Sequence, residues 1–392
     1  MAGPREWRRG TLYIWLDRHA AELDAASAPA MERLIAGYAQ VFEASLEQFN
    51  LLAARVRAAI EAGEPFSVDR LRRLDYYRNL MEDTTRRLAD FSLYASSQTE
   101  ALQRLAIQQA LRDTEDIYVA AIAENLVRRP NRSGWGKLPA DMTLDDIRKL
   151  FHRLPEGALD NLVGALSDGS PLRDYFLVGH VGVPALTAEV IERMERELVR
   201  GLGMGMNPVL VGRRMADALG VGLERAIRIA RTEMLRAYRR ATLESYRAND
   251  DVIRGWRWSA ALGPNTCAAC IAADGSIHPL EEELVDHPNG RCQAVPVTIY
   301  DREGPPLRRV QNEEGEYELV ETDGATWFEG LPDETKENIL GPAVFRAYKD
   351  GKVTLSDLLG ERHTDTFGTE ISRRSLRDIL GDEARAYYAE AA

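Results

Sequence analysis

The stretch CAACIAADGSIHPLEEELVDHPNGRC, residues 267–292, holds all three cysteines of the 392-residue chain and two of its six histidines. Cys267 and Cys270 form a C-x-x-C pair, in which the two intervening residues let both sulfurs turn toward one centre. Asp-Gly and Pro-Asn-Gly sequences supply turns before His287 and Cys292. A structural zinc ion takes four nitrogen or sulfur ligands in a tetrahedron, often from two separated pairs. The stretch therefore predicts a zinc site formed by Cys267, Cys270, His287 and Cys292.

Several alternatives to this site stay open at the level of sequence. His278 is a second candidate for the histidine ligand, and three free cysteines in a small core need no metal at all. A redox C-x-x-C requires a strand-to-helix setting, whereas the sequence here indicates a helix before the pair and turns after it. The site is therefore interpreted as a structural brace.

A catalytic zinc would need an open coordination position and a nearby general base. The three adjacent acids Glu281, Glu282 and Glu283 are more typical of a solvated surface. The Asp286-His287 pair is similar to that of zinc-braced His-metal nucleases, but no cysteine follows Cys292 to complete such a site. We therefore expect no enzymatic activity, and a nuclease is kept as an alternative.

Composition limits the class of protein. The formal net charge of −12 argues against a wholly basic nucleic-acid binder, although a local basic face remains compatible with it. An odd number of cysteines argues against a closed disulfide framework. The apolar run at 12–16 is too short for the core of a signal peptide, and no run is long enough to cross a bilayer. We expect a non-secreted protein that is not inserted in a membrane.

The remainder of the chain predicts a mainly α protein with a small α+β module. Apolar residues recur at steps of three and four in long N-terminal segments, which is typical of helices packed as a bundle or hairpin. The predicted helices are 31–62, a second block from 68 to about 91, and 98–127, with further helical sequence over 186–249 that is broken at 201–208 and 218–220. Strands are predicted at 256–262 and 294–300, followed by a loop or exposed hairpin and by C-terminal helices.

These patterns divide the chain into four expected regions. They are an N-terminal long-helix region (1–128), a linker with short helices (129–184), a core that contains the cysteine and histidine knuckle (185–300), and a hairpin or loop with C-terminal helices (301–392).

The helix before the knuckle, residues 223–250, is rich in arginine. One interpretation is contact with DNA phosphates or with an acidic partner; the other is an ordinary amphipathic helix whose arginines pair with its own glutamates. The candidate contact residues are Arg225, Arg228, Arg231, Arg236 and Arg239.

Several spaced elements occur in an order that resembles the phage head-morphogenesis or minor head protein family, typified by the F protein of phage Mu. They are ARTE (230–233), GWRW (255–258), TCAAC (266–270), DG (274–275), HPNGRC (287–292) and VPV (295–297). The family commonly reads His-Pro-x-Cys-Arg-Cys, and Gly290 stands here at the first of those two cysteines. A metal in this chain would need Cys292 instead.

The resemblance implies a structural virion component, a minor capsid protein without known catalysis. Such proteins act in head morphogenesis at the portal vertex inside the capsid, and some assist genome packaging or ejection. The implied partners are the phage portal protein, the major capsid or scaffolding protein and the packaged DNA, with several copies per virion and no membrane. The implied location is the virion, and the host cytoplasm during assembly. The alternatives are a metal-dependent nuclease and a non-catalytic DNA-binding module used in packaging.

Overall fold

A computed structural model describes residues 5–64, 68–127, 131, 135–155, 157–166, 169–180, 183–204, 206, 208–302, 304–311, 317–364 and 368–391. Its helices are α1 (Thr11–Glu61), α2 (Val68–Arg73), α3 (Asp75–Leu126), α4 (Leu144–Lys149), α5 (Leu172–Leu177), α6 (Leu186–Gly203), α7 (Pro208–Arg247), α8 (Ala268–Ala273), α9 (Gly324–Glu329), α10 (Asp333–Leu340), α11 (Pro342–Lys349), α12 (Leu376–Leu380) and α13 (Ala384–Ala391). The predicted fold class, mainly α with a small α+β module, is confirmed.

The strands are short and pair in small antiparallel sheets. They are β1 (Glu6–Arg8), β2 (Trp135–Lys137), β3 (Gly179–His180), β4 (Val183–Pro184), β5 (Ile253–Ser259), β6 (Ile277–His278), β7 (Gln293–Thr298), β8 (Leu307–Gln311), β9 (Tyr317–Glu321), β10 (Leu359–Thr364) and β11 (Gly368–Arg373). The pairs are β1–β2, β3–β4, β8–β9 and β10–β11, and β6–β5–β7 form a three-stranded sheet.

The chain divides into two compact units. The first unit comprises residues 1–24, 106–159 and 235–392, and the second comprises 25–105 and 160–234. The four regions expected from the sequence remain predictions. Among the described residues, none of the helices combines the length and apolar character needed to cross a bilayer.

In the second unit, α1 and α3 run antiparallel. The rings of Tyr38 and Phe91 lie 4.7 Å apart in an edge-to-face arrangement, and Gln48 Nε2 on α1 lies 3.5 Å from Asp83 Oδ2 on α3. The residue numbers rise along α1 as they fall along α3, which is the register of a helical hairpin. The predicted packing of long N-terminal helices is confirmed.

The first unit contains the three-stranded sheet with β5 at its centre. Trp256 of β5 pairs with His278 of β6, and both Trp256 and Trp258 are buried. Because Trp256 and Trp258 are two residues apart on one strand, their rings lie on the same face of the sheet. From the end of α7, the buried Tyr246 hydroxyl donates a 2.9 Å hydrogen bond to the carbonyl of Ala294 in β7. The end of α7 therefore packs against β7, the strand that follows the cysteine stretch.

Several predicted boundaries are corrected by the structure. Helix α1 begins at Thr11, before the predicted start at 31, and continues through Pro29. The two helices predicted over 68–127 are the short α2 and the single long α3. Helix α7 continues through 218–220, where a break was predicted. The hairpin β10–β11 lies in a region where only helices were predicted.

Candidate metal centre

The two cysteines of the C-x-x-C pair meet at the start of α8. Cys267 is the N-cap of this helix, and its Sγ accepts a 3.3 Å hydrogen bond from the backbone N–H of Cys270. The two Sγ atoms are 3.0 Å apart. The first turn of the helix therefore points both sulfurs to one side, as the spacing of two residues predicts. Strand β5 precedes this helix, close to the strand predicted at 256–262. The pair therefore lies between a strand and a helix, and the expectation that the sequence lacks the strand-to-helix setting of a redox C-x-x-C is wrong.

His287 reaches the same point from the loop before β7. Its Nδ1 lies 3.1 Å from the carbonyl oxygen of Pro288. A carbonyl oxygen can only accept, so this contact assigns a ring proton to Nδ1, and Nε2 is the nitrogen that a metal would use after losing its own proton. One donor atom each from Cys267, Cys270 and His287 lies within 4.8 Å of the others. Three of the four predicted ligands are thus brought together.

Cys292, the fourth predicted ligand, belongs to an overlapping group. Its sulfur, the Sγ of Cys270 and a carboxylate oxygen of Asp286 also lie within 4.8 Å of one another, and all three residues are buried. The two groups share Cys270. The structure therefore gathers all three cysteines and His287 around one thiol, with a carboxylate that the sequence interpretation did not include as a ligand.

Asp286 organises the backbone of this loop. Its carboxylate accepts hydrogen bonds from the N–H groups of His287 (2.8 Å) and Cys292 (3.0 Å), and from the guanidinium of Arg239 (2.8 Å). A Cβ built on Gly290 would overlap this carboxylate. The carboxylate of Asp286 therefore occupies the space into which a side chain at position 290 would project.

The hydrogen bonds within the cluster shift the pKa values of its thiols and its imidazole. The hydrogen bond from Cys270, followed by that of His287, lowers the pKa of Cys267 to about 4. The hydrogen bond between His287 and Cys267 is in turn the main cause that raises the pKa of His287 to about 9. The neighbouring thiols of Cys267 and Cys292, together with burial, raise the pKa of Cys270. Converging thiols of this kind lose their protons when a metal binds, because the thiolate is the ligand.

His278, the alternative histidine, lies elsewhere in the module. Its ring stacks on Trp256 with centroids 4.3 Å apart and an interplanar angle of 13°. Nε2 lies 2.8 Å from Ser276 Oγ, and Nδ1 lies 2.8 Å from Glu282 Oε2. Both ring nitrogens of His278 are thus engaged, and it belongs to neither cysteine group.

The five arginines of α7 have different environments. In the second unit, Arg225 is half-buried, pairs with Glu189 and lies over the ring of Tyr175, whereas Arg228 and Arg231 are exposed. In the first unit, Arg236 is half-buried and Arg239 is 7% exposed. Arg239 is committed to Asp286 and to the knuckle loop, so its guanidinium does not present a surface to phosphate.

The fold and the cluster together define a mainly helical protein with a small α+β module built around thiols and an imidazole. Within it, residues 192–295 match the family described as Phage Mu protein F like protein. This match confirms the resemblance to phage head proteins over 104 of the 392 residues, from α6 into β7. Comparison with curated proteins and with solved structures gives no match.

Proposed function

We propose that this protein is a structural component of a phage head, a minor head protein that acts at the portal vertex. The observation that carries the proposal is the family match over 192–295, which includes the whole cysteine cluster and all of α7. Such a protein acts through its interfaces and not through turnover. The long helices offer faces for partners, and the cluster braces the module that follows them.

Co-purification tests the placement at the portal. The untagged chain is co-expressed with tagged portal protein of the same phage, and in parallel with tagged major capsid protein. We expect the tagged portal protein to retain several copies of the chain at a fixed stoichiometry. Retention on the capsid protein alone would place the chain elsewhere in the head, and retention on neither would contradict the proposal.

The cluster is proposed to hold one zinc ion through Cys267, Cys270, His287 and Cys292. The donor set fits because thiolate and imidazole are the ligands of closed structural zinc sites. Asp286 is the competing fourth donor, but its oxygens already accept three hydrogen bonds from nitrogen and one from the Cys270 thiol, which leaves Cys292 as the better ligand. When bound, the ion would add cross-links between α8 and the loop before β7 to the apolar packing of this module, which includes Trp258, Leu262 and Ile271.

Elemental analysis of purified protein tests the zinc proposal. We expect Cys267→Ser and His287→Ala each to lose one zinc ion per chain and to lower the melting temperature. His278→Ala is the matched control and should keep the zinc, because this ring stacks on Trp256 outside the cluster. Wild-type protein with no zinc and one titratable thiol would instead indicate a Cys267–Cys270 disulfide.

A nuclease is the enzymatic alternative from the sequence, and plasmid DNA with divalent metal tests it. Under the structural proposal, wild-type protein leaves the plasmid intact. Cleavage that His287→Ala abolishes, and that His278→Ala retains, would favour the nuclease and contradict the structural proposal.

A second candidate function is phosphate contact by the second unit. The observation that favours it is an open groove along α6 and α7, lined by Arg193, Arg196, Arg200 and Arg214 together with Glu197 and Asp217. Arg228 and Arg231 are also exposed on α7 in the same unit. Arg193, Arg196 and Arg214 also lie 3.4, 3.9 and 3.8 Å from Glu189, Glu192 and Glu197, so phosphate would compete with these carboxylates for the guanidinium groups.

Salt-dependent binding to duplex DNA tests this candidate. Phosphate contacts release counterions, so affinity should fall steeply with salt, and each lost contact should reduce the slope by about 1. We expect Arg196→Ala with Arg200→Ala, or Arg228→Ala with Arg231→Ala, to weaken binding. Arg57→Ala is the control, since this exposed arginine of the second unit pairs with Glu61. Equal loss in all variants would contradict a defined surface.

A further inference from the structure

A second group of metal-binding side chains lies in the first unit, separate from the cysteines. His19 and Glu22 are three residues apart on α1, so they share one face of the helix, and Asp113 belongs to α3. His19 Nδ1 is 3.1 Å from Asp113 Oδ1 and 3.6 Å from Glu22 Oε2. One donor atom from each residue lies within 4.8 Å of the other two.

The imidazole of His19 is buried without hydrogen bonds. The residue is 6% exposed, and neither ring nitrogen has a hydrogen-bond partner among the described residues. The approach of Nδ1 to Asp113 Oδ1 is close, but it lacks the alignment of a hydrogen bond. A buried polar atom left unsatisfied costs about 1–3 kcal/mol. A ligand between His19 Nδ1 and the carboxylate oxygens would remove that cost at Nδ1.

In both carboxylates, the oxygen that is not directed toward His19 accepts a hydrogen bond from another side chain. Tyr238 donates its hydroxyl to Asp113 Oδ2 at 2.9 Å, and Arg18 donates Nε–H to Glu22 Oε1 at 2.7 Å. Each carboxylate therefore turns its other oxygen, Oδ1 or Oε2, toward His19. Metal sites commonly hold their carboxylate ligands through outer hydrogen bonds of this kind.

We propose that His19, Glu22 and Asp113 form a second metal site, which binds a divalent first-row transition ion. Bonds of about 2.0–2.2 Å to nitrogen and oxygen set ligand atoms roughly 3.0–3.5 Å apart around such an ion. The two distances from His19 Nδ1, 3.1 and 3.6 Å, fall close to that range. Glu22 is half-exposed, so water has access to the remaining coordination positions.

One imidazole and two carboxylates suit manganese, iron, cobalt or zinc, whereas soft thiolate-seeking ions prefer the cysteine cluster. Burial raises the pKa of Asp113, so an adjacent cation stabilises its carboxylate form. The ion would cross-link α1 and α3 within the first unit. It is independent of the cysteine cluster, and its loss leaves the proposed zinc site intact.

Metal titration of the full-length chain separates the two sites. Cobalt(II) bound to thiolates gives a sulfur-to-metal charge-transfer absorption, and cobalt(II) held by nitrogen and oxygen does not. Manganese(II), followed by electron paramagnetic resonance, reports on the oxygen-rich site. We expect wild-type protein to bind two cobalt ions. His19→Gln and Asp113→Asn should lose one of them with the charge-transfer band unchanged, and Cys267→Ser should lose the band but retain manganese.

Two further variants keep the test decisive if buried substitutions unfold the chain. Glu22→Gln lies at the half-exposed edge, and we expect it to weaken manganese binding by at least about tenfold, the scale of a lost ligand contact. Glu282→Gln is the control, because Glu282 pairs with His278 at 2.8 Å in a comparable histidine–carboxylate contact. Manganese binding that survives Glu22→Gln, or a wild-type chain whose only cobalt is thiolate-bound, would overturn the proposal.

Discussion

Arg239 and Asp286 form a buried ion pair, with Nη2 and Oδ2 2.8 Å apart. The same guanidinium donates to the carbonyl oxygens of Gly290 (2.7 Å) and Cys292 (3.0 Å), while the carboxylate accepts from the N–H of His287. One side chain of α7 therefore fixes the loop that presents both downstream ligands of the proposed zinc site. The helix that the sequence suggested as a DNA contact has an internal, structural task at this position.

Removing Arg239 should destabilise the first unit and weaken metal binding together. Breaking a buried pair leaves an uncompensated charge, which costs about 3–5 kcal/mol. We expect Arg239→Ala to lower the free energy of unfolding by that amount in urea titration, and to lower zinc affinity. Arg240→Ala is the control, since Arg240 is half-exposed and lies 3.3 Å from Glu283. If both variants lose equal stability, the internal role of Arg239 is wrong.

A side chain at position 290 should conflict with the carboxylate of Asp286. The space that a Cβ would take is filled by that carboxylate, and overpacking costs about 1–3 kcal/mol. We expect Gly290→Ala to lose stability in this range, measured by thermal and urea unfolding. Gly263→Ala is the matched control from the same module, because its Cβ would meet no atom within 4 Å. Gly290→Ala with wild-type stability would show that the Asp286 carboxylate is free to move aside.

The sequence predicts the cysteine cluster because its ligands lie within 26 residues and meet through local turns. Asp286 was recognisable only as part of an Asp-His pair. Its task depends on Arg239, which reaches it from 47 positions earlier in the chain. His19 and Asp113 are further apart still, and no local pattern joins them. Contacts made by tertiary packing cannot be predicted from the spacing of residues or from hydrophobic periodicity.

Helix boundaries also depend on tertiary contacts that the sequence does not reveal. The break predicted at 218–220 rests on the low helix propensity of glycine, about 1 kcal/mol, which tertiary packing overrides. The hydroxyl of Tyr38 donates to the carbonyl of Leu219 at 2.6 Å. A Cβ at Gly222 would overlap that hydroxyl. Gly222 therefore lets the hydroxyl of Tyr38 approach the backbone of a continuous helix.

Glu124 should make the stability of the first unit depend on pH. Its carboxylate accepts the N–H of Leu12 at 2.6 Å near the start of α1, yet burial raises its pKa from 4.5 to about 8. The folded chain therefore binds a proton that the unfolded chain releases between these values. The stability that Glu124 contributes is fully present below about pH 4.5 and is lost as pH rises through 8. At about 1.4 kcal/mol per unit the loss is at most about 5 kcal/mol.

Glu124→Gln should flatten that dependence, because the amide keeps the acceptor and has no proton to lose. Urea unfolding at intervals from pH 5 to pH 9 gives the slope of the free energy of unfolding for each variant. Glu281→Gln, at an exposed position, is the control and should keep the wild-type slope. A Glu124→Gln slope equal to that of wild type would place the titrating group elsewhere.

Asp274 and Arg308 should behave as one energetic unit. Arg308 Nη1 lies 2.6 Å from Asp274 Oδ1, and both side chains are buried. The carboxylate also accepts the N–H of Ala260 at 2.7 Å, while Arg308 donates to the carbonyl oxygen of the same residue. The pair therefore joins the end of α8, the chain after β5 and the strand β8.

A double-mutant cycle tests this coupling. Asp274→Asn and Arg308→Met each leave one buried group without its counter-charge, so each should cost about 3–5 kcal/mol. The double variant removes both charges together and should cost less than the two single losses combined, by about 0.5–3 kcal/mol. Unfolding in urea gives all four free energies. Additive losses would mean that Asp274 and Arg308 act separately, for instance through Ala260 alone.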